Sequence, residues 1–178
     1  MIYYYKDTFT VRSMMKSDIE KLFNGFAEQG WHKSYELFNE YYNQQEKNEK
    51  LVIVADICGD VCGYVTLLPY TKVGPFAYKD IPEIVDFNVL IKYQKIGIGN
   101  KIMDITENLA KEKSDYVSLA AGLHSGYGSA QRMYVKRGYI PDGTGVWYNG
   151  KQLEPYTKCN NDDDLVLYFL KFLKINKE

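Results

Sequence analysis

The chain has 178 residues, a length that predicts one domain over residues 1–178 with a core large enough to fold without disulfides. Hydrophobic residues make up 46% and charged residues 25% of it, which excludes an intrinsically disordered protein. The net charge of −1 argues against nucleic-acid binding, because nucleic-acid-binding domains usually carry a basic excess. No apolar run approaches the roughly 18 residues that a membrane span needs, so we expect neither a membrane segment nor a secretory signal.

The three cysteines, Cys58, Cys62 and Cys159, form an odd set. A hairpin turning at Gly59-Asp60 would place Cys58 opposite Val61 and leave Cys62 out of register for a disulfide. We therefore expect free thiols and a cytoplasmic protein. The cysteines and the two histidines show no spacing typical of a metal site, and we predict no metal.

Apolar periodicity and turn residues predict the elements in chain order. The first half predicts a strand over 8–12, a helix over 17–26 capped by Ser17, a helix over 34–43, a hairpin of 51–57 and 61–68, and a loop over 71–81. The second half predicts a strand over 84–90, a helix over 99–113, a strand over 116–121, a helix over 128–137 closed by Gly138, extended chain from 139, a long loop over 149–164, and an apolar strand over 165–172.

This order predicts a mixed α/β (α+β) fold. We expect one central, twisted, largely antiparallel sheet with helices on both faces, in which the strand–helix–strand run from 84 to 121 forms a parallel crossover. The apolar last strand has two alternatives: it completes its own sheet, or it pairs with a second copy in a homodimer.

The segment Gln94-Lys-Ile-Gly-Ile-Gly99 follows a predicted strand and opens a helix. The first turn of a helix leaves N–H groups without partners, and the helix dipole adds partial positive charge there. Glycines let an anion approach this backbone, so residues 95–100 predict a site for a pyrophosphate. The alternative is a plain flexible turn. A dinucleotide fingerprint fails because Ile102 stands where the third glycine belongs.

Two linked segments resemble the GNAT superfamily of N-acetyltransferases. Its acyl-CoA signature, [Q/R]-x-x-G-x-[G/A], is met by Gln94, Gly97 and Gly99. A later A-x-x-x-Y-x-x-x-G-[F/Y] segment is met by Ala130, Tyr134, Gly138 and Tyr139. The resemblance implies a GNAT-like fold, acetyl-CoA as co-substrate, and transfer of acetyl to a primary amine of a small molecule or peptide. The cofactor-binding residues that it implies are Phe87, Val89, Leu90, Gln94, Lys95, Ile96, Gly97, Ile98, Gly99, Asn100, Ser129 and Tyr134.

The resemblance also assigns catalytic roles. Tyr134 would protonate the departing thiolate as general acid, although a tyrosine on an apolar helical stripe is also typical of a core. Glu83 is the preferred base, with Asp86 or a water relay as alternatives, because alternation of side chains places Glu83 and Asp86 on opposite faces of one strand. The backbone of Val89 would stabilise the oxyanion. No cysteine lies in either segment, which favours direct attack over an acyl-cysteine route.

Candidate substrate-binding residues come from the first two helices and the late hairpin. They are mostly aromatic, and the alternative is that they are part of the hydrophobic core. They are Trp31, His32, Tyr35, Phe38, Tyr42, Trp147, Tyr148 and Tyr156. The run Asp162-Asp-Asp164 would attract a polyamine or an aminoglycoside, or form a solvated turn. Ser129 would either reach the pantetheine or cap its helix, and His124 would either titrate near the site or be structural. The rival function is a non-catalytic acyl-CoA-binding sensor or interaction domain on the same fold.

Overall fold

The structure is a computed structural model, and it describes residues 1–6 and 8–173. These residues form one open, mostly antiparallel sheet of nine strands together with four α-helices. This confirms the mixed α/β fold class with a largely antiparallel sheet. Packing divides the chain into two compact units, residues 1–68 with 85–109 (unit 1) and residues 69–84 with the described chain from 110 onward (unit 2). The assignment of one domain to residues 1–178 stays a prediction, and residues 174–178 lie outside the described part.

Unit 1 contains the first half of the sheet. Its strands, in spatial order, are β1 Ile2–Lys6, β2 Phe9–Ser13, β3 Leu51–Ile57, β4 Asp60–Leu68 and the greater part of β5 Glu83–Val89. Its helices are α1 Asp18–Glu28, α2 Tyr35–Glu46 and most of α3 Ile98–Lys111. The pairs β1–β2, β2–β3 and β3–β4 are antiparallel. The predicted elements from 8 to 68 are present, and β1 is an additional strand.

The core of unit 1 lies where α1 and α2 meet β3 and β4. The apolar residues Ile19, Leu22 and Phe26 recur at helical spacing and are fully buried on one face of α1. They pack with Phe38 of α2 and Tyr64 of β4 in one cluster. Burial of each such side chain contributes about 1.5–3 kcal/mol. This core fixes the ends of the loop 29–34 that joins the two helices.

The start of α1 differs from the prediction. Ser17 has helical backbone angles and makes no capping hydrogen bond. The carboxylate of Asp18 instead accepts the N–H of Met15, which precedes the helix, at 2.7 Å. The same carboxylate pairs with Arg12 at 2.6 Å, and Arg12 also pairs with Asp56 at 2.8 Å. A buried ion-pair network therefore connects the end of β2 to the first residue of α1.

The hairpin between β3 and β4 turns one residue earlier than predicted. Ile57 pairs with Asp60, and the two turn residues are Cys58 and Gly59, both with positive φ. Two positive φ angles in a two-residue loop match the twist of the flanking strands. Cys58 therefore lies in the turn and not opposite Val61. The three cysteines, all within the described chain, are free thiols.

Unit 2 contains the second half of the sheet. Its strands, in spatial order, are the start of β5, β6 Tyr116–Gly122, β9 Leu165–Phe172, β7 Ile140–Tyr148 and β8 Lys151–Gln152, and its helices are α4 Gly128–Lys136 and the end of α3. β5 and β6 are parallel, as predicted for the strand–helix–strand run. The other pairs in this unit are antiparallel.

The last strand, β9, lies between β6 and β7 and pairs with both. Of the two alternatives, it completes its own sheet. Tyr168 and Phe169 are its buried residues, while Phe172 is 54% exposed, so this apolar strand is only partly buried. No helix within residues 1–6 and 8–173 is long and apolar enough to cross a membrane.

Candidate active site

The turn between β5 and α3 carries a row of backbone N–H groups, and its residues 94–97 are exposed. Two left-handed residues shape it, Lys95 at φ 65° and Gly97 at φ 92°. The first hydrogen bond of the helix runs from the N–H of Lys101 to the carbonyl of Gly97 at 3.1 Å. Across the described chain, the N–H groups of residues 95–99 find no acceptor. Residues 95–99 therefore present amides without acceptors at the positive end of a helix dipole, and the pyrophosphate site over residues 95–100 stays a prediction.

Side-chain and backbone contacts join this turn to β5. The side-chain amide of Gln94 donates to the carbonyl of Val89 at 2.9 Å. A Cβ atom on Gly99 would lie 3.2 Å from Cζ of Phe87 and 3.5 Å from Cγ2 of Val89. Ile98 is buried beneath the turn. Gln94 and Gly99 of the signature thus position the turn on the strand, while Gly97 supplies its backbone conformation.

The end of β5 is held on one edge by β4. The N–H of Leu90 donates to the carbonyl of Cys62, and the carbonyl of Leu90 accepts the N–H of Tyr93, both at 2.8 Å. Successive N–H groups along a strand point to opposite edges. The N–H of Val89 therefore points to the edge away from β4.

Asp86 interrupts the regular geometry of β5. Its φ of 51° is left-handed, which is uncommon for a residue other than glycine. Regular alternation was the basis for placing Glu83 and Asp86 on opposite faces, and the backbone at Asp86 breaks it. Such local strain often accompanies functional sites.

Four donors converge on the carboxylate of Asp86. Lys33 donates to Oδ1 at 2.7 Å and Asn88 donates to it at 2.8 Å. Tyr41 donates to Oδ2 at 2.9 Å, and Tyr64 also donates to Oδ2. A carboxylate offers about four lone-pair sites, so this set fills them. We call these five residues the Asp86 cluster.

The two tyrosines of the Asp86 cluster stay protonated. Burial raises the pKa of Tyr64 well above its usual value, and the charge of Asp86 raises it further. The pKa of Tyr41 is raised by the same two causes in the same order. Both hydroxyls are therefore donors at neutral pH. The sequence interpretation named Asp86 but missed Lys33, Tyr41 and Tyr64 as its partners.

Glu83 lies in unit 2, and its side chain is buried, at 6% exposure. Burial raises the pKa of Glu83, and a hydrogen bond from Thr71 partly opposes this. The neighbouring Tyr168 has its pKa raised to about 12, first by burial and then by the charges of Glu83 and Asp142. A carboxyl group whose pKa lies nearer to neutrality is a suitable acid or base.

Tyr134 is buried in α4, at 6% exposure. Burial raises its pKa, with a smaller contribution from Tyr127, and its hydroxyl makes no hydrogen bond with any described residue. The helix ends shortly after Tyr134. Gly138 has φ 86°, and the N–H of Tyr139 donates to the carbonyl of Tyr134 at 3.0 Å. This is the left-handed cap predicted for Gly138, and it brings the rings of Tyr134 and Tyr139 within 5.8 Å of each other.

Side-chain hydrogen bonds hold the segment before α4. Ser129 is exposed, and α4 has no side-chain cap, so Ser129 does not cap its helix. The Nε2 atom of His124 lies 2.9 Å from Asp163, and its Nδ1 accepts the N–H of Gly126 at 3.1 Å. Both ring nitrogens of His124 are therefore occupied. Tyr127 donates to the same carboxylate of Asp163 at 3.0 Å.

The aromatic candidates for substrate binding divide between the two units. In unit 1, Phe38 belongs to the core, whereas Trp31 is 41% exposed and stacks on Phe26 with centroids 6.0 Å apart. In unit 2, the indole N–H of Trp147 donates to Thr144 at 2.8 Å. The remaining candidates are exposed or half-buried: His32, Tyr35, Tyr42, Tyr148 and Tyr156.

The acidic run forms a turn. The N–H of Asp164 donates to Oδ1 of Asp162 at 3.1 Å, and Tyr148 donates to Oδ2 of Asp162, also at 3.1 Å. Residues 162–164 therefore form a solvated turn, and the attraction of a polycation to this run stays a prediction. Within the part of the chain that is described, no group of histidine, cysteine and acidic residues is placed to hold a metal ion.

The sequence profile of the acetyltransferase (GNAT) family matches residues 16–139, which is more than half of the chain. The chain belongs to the GNAT acetyltransferase family. This confirms the resemblance seen in the two signature segments, since the match runs from before α1 to Tyr139 and includes β5, the turn and α4. No curated protein matches this GNAT chain.

Solved structures of GNAT proteins share the fold. The protein yncA from Salmonella typhimurium, solved with its cofactor acetyl-CoA, has a TM-score of 0.67 and 15% identity, over 96% of this chain and 97% of that one. The ribosomal-protein-S18-alanine N-acetyltransferase from Escherichia coli has a TM-score of 0.66 and 14% identity over the same shares. A chimera of spermidine N-acetyltransferase SpeG from Vibrio cholerae and hSSAT has a TM-score of 0.66 and 14% identity, over 93% and 96%.

Proposed function

We propose that the protein is a cytoplasmic, acetyl-CoA-dependent N-acetyltransferase that transfers acetyl to a primary amine by direct attack. The observation that carries the proposal is the row of backbone N–H groups over residues 95–99, which have no acceptor in the described chain. Unpaired amides at a helix N-terminus are suited to phosphate groups. In this proposal they bind the diphosphate of coenzyme A, with Ile96, Ile98 and Asn100 lining the same turn.

The edge of β5 away from β4 would bind the pantetheine arm. Phe87 and Val89 offer backbone groups on the edge away from β4, and the N–H of Val89 would stabilise the oxyanion that forms when the amine attacks. One such donor contributes about 2.7–4 kcal/mol to the transition state. Both backbone groups of Leu90 already have partners, so its contact with the arm would be apolar or would use the second lone pair of its carbonyl. Ser129 is exposed and is proposed as a further contact to the arm.

Tyr134 is proposed as the general acid. As the new C–N bond forms and the C–S bond breaks, the departing thiolate takes the phenolic proton. The raised pKa of Tyr134 keeps this proton on the oxygen at neutral pH, and the hydroxyl has no competing acceptor among the described residues. Well-placed proton transfer contributes about 10²–10⁴ in rate.

Glu83 is proposed as the base that takes the proton from the attacking ammonium group. An alkylammonium has a pKa of about 10, so it must be deprotonated before it attacks. Burial raises the pKa of Glu83, which strengthens it as a proton acceptor. In the Asp86 cluster, by contrast, four hydrogen bonds fill the lone pairs of the other candidate carboxylate.

The structural neighbours support acetyl-CoA as the donor and an amine as the acceptor. One was solved with its cofactor acetyl-CoA, one is named for a ribosomal-protein alanine and one for spermidine. Protein N-termini and small polyamines are therefore both included in the proposed acceptor class. Because these neighbours share little sequence identity with this chain, the acceptor has to be inferred from the residues of this chain.

The test combines binding and turnover. Acetyl-CoA binding is measured by calorimetry for the native protein and for Gly97→Glu, which adds bulk and negative charge to the turn. Free-thiol release from acetyl-CoA is then measured with a panel of primary amines. We expect binding that Gly97→Glu abolishes and thiol release that depends on the amine. Binding without thiol release for any amine would favour the non-catalytic sensor, and no binding at all would refute the proposal.

A further inference from the structure

Unit 1 binds an ammonium group that belongs to its own chain. The Nζ atom of Lys33 lies 2.7 Å from Oδ1 of Asp86. It also lies 5.6 Å from the ring centroid of Phe26 and 5.8 Å from that of Tyr64. A carboxylate flanked by aromatic rings is the arrangement by which proteins recognise organic cations. We call the Asp86 carboxylate with the Phe26 and Tyr64 rings the ammonium subsite.

The carboxylate side of this subsite is rigid. Tyr64 is fully buried, and its ring contacts Phe26 and Phe38 at centroid distances of 5.9 and 5.5 Å. The hydroxyls of Tyr41 and Tyr64 and the amide of Asn88 hold the carboxylate in place. These three donors remain if the lysine leaves. The subsite is therefore built by residues other than Lys33.

Lys33 itself is held mainly through its ammonium group. It lies in the loop 29–34, where the N–H groups of Gly30 and Trp31 bond back to α1. Beyond them, the backbone groups of Lys33 have no hydrogen-bond partner in the described residues. The side chains of Lys33 and Asp86 are 21% and 17% exposed. An ammonium group in solution can therefore reach the carboxylate, and Lys33 can leave without breaking a backbone contact.

We propose that the ammonium subsite binds the cationic group of a primary alkylamine acceptor, which displaces Lys33 from Asp86. In the absence of the acceptor, the ammonium group of Lys33 occupies the same position. This rests on the proposed function for its role as an acceptor subsite. Because the carboxylate has about four lone-pair sites and three stay filled, only one ammonium group fits at a time. Lys33 and the alkylamine therefore compete. Asp86 is a binding residue here: it holds the amine in its ammonium form, and the amine leaves Asp86 once the proposed base has taken its proton. The same chemistry is offered by a small amine or by a lysine side chain of a peptide.

The first experiment measures binding without catalysis. Lys33→Ala removes the internal ammonium group, and n-propylammonium chloride replaces the missing part of the side chain. We expect n-propylammonium to raise the thermal unfolding midpoint of Lys33→Ala in a saturable manner, beyond the effect of equal sodium chloride. The native protein should need an about fivefold or higher concentration, because its own lysine competes.

Matched controls make the result specific. The neutral analogue 1-propanol should have no saturable effect on Lys33→Ala, and n-propylammonium should have none on Lys33→Ala/Asp86→Asn. Lys21→Ala removes a different ammonium group of the same unit, which donates to the carbonyl of Gly59 at 2.7 Å, and should behave like the native protein. A midpoint rise no larger than that from sodium chloride, or one that persists without the Asp86 charge, would overturn the proposal.

The second experiment measures the acceptor. With acetyl-CoA saturating, KM is compared between native protein and Lys33→Ala for n-alkylamines and for a lysine peptide with a blocked N-terminus. A fall in KM of about fivefold or more for either one supports the subsite and identifies its source, and an unchanged or higher KM for both contradicts it. If acetyl-CoA neither binds nor turns over, the proposed function fails, while the n-propylammonium titration still decides whether the subsite exists.

Discussion

Gly99 and Phe87 are in close approach: a Cβ atom on Gly99 would lie 3.2 Å from Cζ of the phenylalanine. The first turn of α3 thus rests directly on β5. Gly97, two residues earlier, has open space around its Cα but a φ of 92°. The two glycines of the signature therefore serve different purposes, one for packing and one for backbone conformation.

Gly97→Ala should weaken acetyl-CoA binding. A residue with a side chain is strained in the left-handed region by about 1–2 kcal/mol, and the N–H groups of the turn would shift to relieve it. We expect a loss of this size in the free energy of unfolding by urea, together with a higher dissociation constant for acetyl-CoA by calorimetry.

Gly145→Ala is the matched control for this change. Gly145 has a φ of 83° and equally open surroundings, so it should lose similar stability and keep its affinity for acetyl-CoA. Equal affinity in both variants would show that the turn does not bind the coenzyme.

Tyr134→Phe should lower kcat by about 10²–10⁴ and leave acetyl-CoA binding unchanged, because it removes only the proposed proton donor. The phenol has no hydrogen-bond partner among the described residues, so the unfolding free energy should change little. Steady-state thiol release and calorimetry measure the two effects. Tyr139→Phe is the control on the neighbouring ring, and it should keep its kcat. Full activity of Tyr134→Phe would exclude Tyr134 as the acid.

The turn and the end of α4 could be predicted from the sequence because their determinants are local. Gln94, Gly97 and Gly99 lie within six residues of each other, and Gly138 closes a helix that its own periodicity predicts. The turn of the hairpin lies one residue earlier than predicted. Of the residues near the turn, only Gly59 was expected to be left-handed, but Cys58 adopts this conformation as well.

Long-range contacts explain what the sequence could not predict. The partners of Asp86 are 22, 45 and 53 residues away in the chain for Tyr64, Tyr41 and Lys33, and no spacing connects them. The role of Asp18 at the start of α1 was missed because Arg12, in the preceding strand, holds its carboxylate. The strand β1 lacks a clear alternation of apolar and polar residues, and it exists because β2 offers it an edge.

Glu83→Gln should make the protein more stable at neutral pH and less active. Because burial raises the pKa of Glu83 in the folded state, the native protein favours the protonated form. The contribution of Glu83 to the stability of the native protein is therefore fully present below the pKa of about 4.3 that a glutamate has in the unfolded chain. This contribution is lost as the pH rises through the higher pKa of Glu83 in the folded protein. Glutamine stays neutral and avoids this loss.

Urea unfolding at a series of pH values, with kcat measured alongside, tests this prediction. The free energy of unfolding of the native protein should fall with rising pH relative to that of Glu83→Gln. In the plot of kcat against pH, the variant should lose the decrease at acidic pH. Glu28→Gln, an exposed carboxyl near Lys92, should follow the native protein in both. A variant with native kcat would leave Glu83 without a role as the base.

Asp18→Asn should destabilise the protein by about 3–5 kcal/mol, because it breaks a buried ion pair and leaves the charge of Arg12 incompletely compensated. Asp18 is fully buried and lies 2.6 Å from Arg12. The exposed pair of Lys92 and Glu28, at 3.6 Å, supplies the comparison: Lys92→Ala should change the free energy of unfolding by less than about 1 kcal/mol. Urea unfolding of the two variants measures both. Equal losses would mean that the network at the start of α1 contributes no more than a surface pair.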